Sequence, residues 1–533
     1  MRDRKIVIIG VGNVLRADDG LGPYVVSLIR EKIKHLENVE LIDCGTGGME
    51  VANYMQGVSK AIIVDAIQMG KKPGEIYYFK INTRIFREKR EVLDLVQSVS
   101  VHEIGLKEAI YLILLGIFGG MLSGFIGSGG AFVLTPGMMA IGAPGAIAVA
   151  SNMCHKFPKA MIGVWRRLKV GHVDLKLAGL MAISAIAGVQ IGIYVQKIIA
   201  DALGPAGTNL YVTMAFLIVL PTVSYFCIRD VIKARKYGIA DTEPELAAKL
   251  EEKFKVWPVL EFETAKRKQS LWLTLPTGFA TGFLAATIAV GGFIGVPSMI
   301  YIIGAPSVVA SGTELGVAFV MGATGTFSWA YFLGAVDFRM TVLILAGSLI
   351  GVQIGAVGTT YVKQYMIKLA MAVVMLLVTL SRLVAMPKIL YNLGWINLNE
   401  FYIPILDNLV FWIMIIAMIS VTPIVLVPML RIRKQLVVMD LLADSIVKPP
   451  KKGGLYIKLI LFGLISIVSY IILFINAEAW TVFATQKTLI AAFSVIAIAI
   501  YFSTVHGNFA HALLDLFNIG ALREGVLERI EET

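Results

Sequence analysis

Residues Ile126 to Pro144 read IGSGGAFVLTPGMMAIGAP, and Ile288 to Pro306 read IAVGGFIGVPSMIYIIGAP. Each stretch carries a glycine pair, a proline a few residues on, and a closing GAP. Two more elements follow in the same order. GHVD from Gly171 matches GAVD from Gly334, and GVQIG at Gly188 returns at Gly351. The spacing stays near 162 residues throughout. One GG or one GAP would say little in an apolar chain. Four elements in one order at one offset mark an internal repeat. The pieces opening at Gly129 and Gly291 are short, apolar and rich in Gly and Pro. Such a run cannot present unpaired backbone to lipid, so it must face protein or a watery cavity.

Around this repeat the chain is strongly apolar. Of 533 residues, 57% are hydrophobic and 16% charged, against about a quarter charged in soluble proteins. Apolar runs long enough to span a bilayer follow one another from about residue 108 to 503, including 129–143, 402–428 and 479–503. The expected fold is therefore a polytopic α-helical membrane protein with two internal repeats, preceded by a small N-terminal α/β domain with a mainly parallel sheet. The boundaries fall at 1–108 for that segment, 109–228 for the first repeat and 229–270 for a charged insert. The second repeat covers 271–386, further transmembrane helices 387–505, and a polar tail 506–533.

The net charge of +11 belongs to loops on the cytoplasmic side, which excludes a nucleic-acid reading. RRLKVGHVDLK from Arg166 is strongly basic, whereas the matching FLGAVDFRM from Phe332 has only Arg339. That asymmetry is expected of inverted repeats, with the first loop cytoplasmic and the second external. The 229–270 insert reads as cytoplasmic too. A full crossing by 129–143 then leaves the N-terminus outside, and a re-entrant one returns it to the cytoplasm. Cys44, Cys154 and Cys227 are far apart and odd in number, so they imply neither a disulfide framework nor a cysteine zinc site. The start, MRDRKIVIIGVGN, is charged and is not read as a secretory signal.

The repeated GG…P…GAP pattern, with G-x-V-D and G-x-Q-x-G after it, resembles the TauE/SafE sulfite exporter family over about Ile110 to Val384. The resemblance implies a transporter of small, often sulfur-containing anions such as sulfite, thiosulfate or organosulfonates, lodged in the inner (plasma) membrane and needing no cofactor. The residues agree. Paired helix breaks in two halves point to a central site, and exposed N–H groups at a half-helix start favour an anion. The candidates are Ser128, Gly129 and Gly130 in one repeat and Gly291 and Gly292 in the other, with Pro136 and Pro297 holding the breaks. The same glycines would also serve simple close packing of helices. ASNMCHKFPKAM (from Ala150) places His155 and Lys156 in an apparent span, where a cation needs a cavity or a partner. Lys156 is a candidate anion ligand, and His155 a candidate for proton coupling. Both could instead snorkel to an interface. Glu314 aligns with Asn152 and could bind, carry a proton or pair with Lys156. Ser151 and Thr313 align as candidate donors to an oxyanion. Gln190 and Gln353 align and are read as bonding across helices.

Before Ala109 the pattern alternates strand and helix. KIVIIG, VELIDCG, KAIIVDAI and EIYYFKI read as strands, with MEVANYMQG and the run from Gly22 as helices. Asp19 and Asp65 follow strands, and His102 lies in SVHEIGL. Two carboxylates and an imidazole at strand ends could hold Ni²⁺ or Zn²⁺. GVGNVLRADDGLG, DCGTGGME, VDAI and SVHEIGL resemble, in order, the hydrogenase maturation endopeptidases, shortened at their C-terminal third. That resemblance implies nickel contact by Asp19, Asp65 and His102 and a hydrogenase large subunit as partner. The enzyme reading, and a fusion in which this segment regulates transport, stand as alternatives to transport alone.

Overall fold

The sheet of the N-terminal segment forms where β-branched runs demand it. In a computed structural model, residues 6–11, 21–36, 38–45, 60–64, 106–126, 130–169, 171–237, 245–362, 364–399, 401–438 and 452–517 are described. The chain divides into two units, Met1–Ile110 and Tyr111–Thr533. In the first, β1 (Ile6–Val11), β2 (Val39–Gly45) and β3 (Lys60–Val64) make a parallel sheet in the order β2-β1-β3. Val7, Ile9, Val11 and Cys44 form its core. Helix α1 (Leu21–Arg30) crosses β1 so closely that a methyl group on Gly10 would strike the carbonyl of Gly22. The expected strand EIYYFKI and helix MEVANYMQG lie outside the described residues.

The second unit is built of helices. Nine, among the described residues, are long and apolar enough to cross a membrane, so this is a multi-pass membrane protein. The first half contains α2 (Leu106–Ile126), the short α3 (Ala131–Ala140), α4 (Gly145–Lys169) and α5 (Leu175–Tyr237). At about 1.5 Å per residue, α5 far exceeds a hydrocarbon core of about 30 Å. It is two spans joined at Gly204, whose φ of 64° ends the first helix before Pro205. The insert folds as α6 (Glu245–Lys253) and a hairpin of β4 (Val259–Phe262) and β5 (Arg267–Ser270). The second half contains α7 (Leu271–Ile288), the short α8 (Gly292–Ser298, loosening into a π turn to Ile303), α9 (Ser307–Ser328, likewise extended to Leu333), α10 (Phe338–Gly358) and α11 (Gln364–Asn392).

Beyond it come α12 (Tyr402–Ile419), α13 (Val421–Val438), α14 (Lys452–Ile475), α15 (Ala477–Ala484) and α16 (Leu489–Leu516). Two expectations change here. The 402–428 run is two helices, because Pro423 has no N–H to bond back to Ile419. The 479–503 run is interrupted after Ala484 and restarts under a cap in which Thr488 accepts from Ala491 N–H at 3.2 Å. α16 then continues to Leu516, so His506 and His511 lie within a helix rather than in a tail. Leu345 and Leu349 of α10 pack with Leu473 of α14 and Phe502 of α16, which docks the added helices on the second half.

Candidate functional site

Glycines set how closely the long helices approach. A methyl group on Gly116 or Gly120 of α2 would collide with the carbonyl of Ile344 or Ser348 in α10, and one on Gly351 with that of Ile117. The α5–α7 pair repeats this arrangement, with Gly282 on the Ala185 carbonyl and Gly188 on the Phe279 carbonyl. Each residue in one interface stands 162 or 163 positions from its counterpart in the other. Small residues at this spacing allow backbones to touch without a hydrophobic driving force.

Against these pairs lie the two short helices. α3 turns back along α2, with Leu134 against Gly119 and the Tyr111 hydroxyl donating to the Gly137 carbonyl at 3.2 Å. α8 lies back along α7 in the same way, Gly295 packing on Thr281. At about 1.5 Å per residue, the ten residues of α3 cover only about half a bilayer core. The starts of the two short helices meet: the rings of Phe132 and Phe293 are 4.7 Å apart, edge to face. Gly130 and Gly291 are the N-cap residues and Gly292 opens α8. Ser128 and Gly129 lie outside the described residues. Pro136 and Pro297 were expected at the breaks, but they sit inside α3 and α8. α7 ends earlier, at Ala289 with a φ of 61°, and Gly130 and Gly291 stand at the starts of the short helices. A proline past the first turn removes one helix hydrogen bond without ending the helix, and α8 loosens into its π turn right after Pro297.

Helix α4 supplies the polar lining. Asn152 is fully buried and donates to Thr135 Oγ1 at 2.8 Å and to the Ala131 carbonyl at 3.2 Å, both in α3. Thr135 in turn reaches the Ile288 carbonyl at the end of α7, at 3.5 Å. His155 holds Ser348 of α10 through Nε2 at 2.6 Å and faces Asn152 Oδ1 through Nδ1 at 3.4 Å. Lys156 and Glu314 are 9% and 2% exposed. Neither the lysine Nζ nor either carboxylate oxygen has a hydrogen-bond partner among the described residues. Glu314 presses its carboxylate on Gly295 of α8, where a Cβ could not fit. Asn152 thus serves α3 as Glu314 serves α8, but only the amide is satisfied. Gln353 bonds across helices: His511 Nδ1 lies 2.9 Å from its Oε1, and its Nε2 donates to the Gly507 carbonyl at 3.4 Å.

Ser151 and Thr313 take a role the sequence reading did not assign. The backbone N–H of Asp337 donates to Ser151 Oγ at 2.9 Å, and that of Asp174 to Thr313 Oγ1 at 3.0 Å. Each hydroxyl therefore clasps the loop that opens the other half's third long helix. The aspartates cap those helices. Asp337 accepts from the N–H groups of Arg339 and Met340, and Asp174 from Leu177. Their outer oxygens differ. Asp337 pairs with Arg339 at 3.0 Å, while Asp174 accepts the N–H groups of Thr264 and Ala265 in the insert hairpin, at 3.0 and 3.1 Å. G-x-V-D was noted as a repeated motif, and an aspartate before a long apolar run is an N-cap signal. The clasp across halves leaves no such mark.

Asp19, Asp65 and His102 lie outside the described residues. The strand ends before the two aspartates are adjacent, since Gly10 pairs with Val64 in register.

A family model described as Sulfite exporter TauE/SafE matches residues 112–382, about half of the chain. A second, Hydrogenase maturation protease, matches residues 23–137. The probable membrane transporter protein YjnA of Bacillus subtilis is 26% identical over 260 residues, covering 46% of this chain and 89% of that protein. The hydrogenase expression/formation protein HupD of Bradyrhizobium diazoefficiens is 31% identical over 111 residues, 20% of this chain and 54% of HupD. The hydrogenase 2 maturation protease of Escherichia coli is 30% identical over 107 residues, 20% of this chain and 61% of that enzyme. The chain thus spans about half the length of these hydrogenase-related relatives. No solved structure matches.

Proposed function

The chain belongs to the sulfite exporter TauE/SafE family, and from that premise we propose that it moves a small oxyanion, sulfur-containing in the first instance, across the inner membrane. The observation that carries the reading is the meeting of two short helix starts, Phe132 against Phe293, with a buried lysine and glutamate that have no hydrogen-bond partners among the described residues. The anion sits at those starts. The backbone N–H groups around Gly130, Gly291 and Gly292, with Ser128 and Gly129, face its oxygens, because a helix N-terminus carries partial positive charge. Lys156 offsets its charge, and Asn152 fixes α3 as one wall. Glu314, unbonded and set against α8, takes up and releases the coupling proton. His155, held between Asn152 and Ser348, positions α4. Ser151 and Thr313 brace the frame and keep one hydroxyl proton each for the anion's passage.

The two halves act as inverted repeats. α4 and α9, which correspond in sequence, run antiparallel: Gly163 packs on Leu315, Gly322 on Phe157 and Gly325 on Met153. This supports rocking of one half against the other around a fixed site. The basic end of α4 and the insert face the cytoplasm. α2 begins at the opposite end, beside Gly137.

Uptake of labelled sulfite into proteoliposomes tests the reading. Lys156→Met is expected to lower the initial rate by about a hundredfold, roughly 2.7 kcal/mol of lost stabilisation. Uptake equal to that of the unaltered protein would sink the assignment of Lys156.

The match of residues 23–137 to hydrogenase maturation proteases favours a second reading: nickel-dependent processing of a hydrogenase large subunit, with Asp19, Asp65 and His102 as metal contacts. Equilibrium dialysis of the full chain with Ni²⁺ checks it, and Asp65→Ala should abolish one bound equivalent. If uptake of sulfite by the same preparation also responds to Ni²⁺, the N-terminal segment regulates the transporter.

A further inference from the structure

The family match ends at residue 382, yet α16 forms one wall of an open-sided cavity against the family core. The cavity holds about 730 Å³ and is walled by α4, α9, α10 and α16. A volume in the range of about 300–1,000 Å³ fits a molecule of drug size rather than an inorganic oxyanion. Its lining is divided. Lys159, Gln353, Asn508 and His511 supply polar groups, while Phe319 and Leu349 belong to the apolar remainder. Lys159 lies one turn beyond Lys156 on α4 and forms no ion pair among the described residues. Asp515 is 3.6 Å from His511 Nε2. His511 Nδ1 and Gln353 Oε1 stand 2.9 Å apart, tying α16 to α10 at the cavity wall. Asn508, anchored by an N–H bond to the Thr504 carbonyl at 2.7 Å, keeps a second amide proton for a ligand.

We propose that this cavity is a second anion site, separate from the crossing of the short helices, which binds an oxyanion carrying an apolar body, and that α16 completes it. The acidic head lies at Lys159, Gln353 and Asn508. The apolar body lies against Phe319 and Leu349. A free aryl sulfonate and an anionic phospholipid share that chemistry.

Calorimetric titration of the full-length protein in neutral detergent with 4-toluenesulfonate tests the site, with the uncharged 4-toluenesulfonamide as reference. Saturable one-to-one binding of the sulfonate is expected, with little heat from the sulfonamide. Lys159→Gln should weaken binding by about tenfold or more, since a charge-assisted contact is lost, and Lys159→Arg should restore most of it. Asn508→Leu, on an exposed position of α16, should weaken it without threatening the fold. Native mass spectrometry separates the two sources. A phosphatidylglycerol that copurifies, is displaced by the sulfonate and is missing from Lys159→Gln assigns the site to lipid. Sulfonate binding without retained lipid assigns it to a solute. Binding unaffected by Lys159→Gln and by Asn508→Leu, or no binding of the sulfonate, overturns the proposal. Sulfite uptake shares no ligand with this assay, so failure here is distinguishable from failure of the central site.

Discussion

The halves 109–228 and 271–386 carry matching close contacts and differ in the polar group set against each short helix. Their glycine contacts correspond position by position, and so do the clasps from Ser151 and Thr313. The difference lies at Asn152 and Glu314. The first is an amide bonded twice to its short helix; the second is a carboxylate with no hydrogen bond among the described residues, set against its own. A buried polar group left unsatisfied costs free energy. That contrast is what the proposed proton role of Glu314 rests on.

Breaking the shared part should do most harm. Gly282→Leu drives a side chain into the Ala185 backbone, where no rotamer relieves the clash. We expect no monodisperse protein by size-exclusion chromatography, an overpacking penalty at or above about 3 kcal/mol. Next comes the difference itself. Glu314→Gln should retain the fold yet lose the response of sulfite uptake to an imposed proton gradient, by about tenfold or more. Asn152→Ala should lower stability but leave that response in place. If both variants lose it, the contrast between the halves does not assign the proton.

The smallest effects on transport concern the caps, whose changes are read as stability. Asp337→Ala removes the partner of a nearly buried Arg339 and should cost about 3 kcal/mol. Asp174→Ala loses a cap and two insert contacts, for about 1–2 kcal/mol. Thermal unfolding in detergent ranks them. The reverse order would mean that the hairpin contributes more than the ion pair.

Much of this was legible in the sequence because membrane physics writes in a coarse alphabet. Apolar length gave the spans, and GG followed by GAP gave the two short helices, now residues 131–140 and 292–303. The helix restart at Thr488 falls in TQKT, four polar residues (Thr485 to Thr488) set between longer apolar runs, with Lys487 at a φ of 55°. Pro136 and Pro297 lie within the short helices, while α7 ends at Ala289 in a left-handed conformation that no local motif announces. The clasps were illegible for another reason. Ser151 and Asp337 are 186 residues apart, and no local pattern encodes a bond between a hydroxyl in one half and a peptide N–H in the other.

Those two crossed bonds have a consequence for assembly. Each half holds the latch for its sibling, so neither is complete when released from the ribosome alone. A chain severed within 238–244, between Tyr237 and Glu245, would have to recover its clasps by heterodimerisation of opposed fragments. The linker through the insert serves, in that sense, to keep two mutually dependent locks at a high effective concentration.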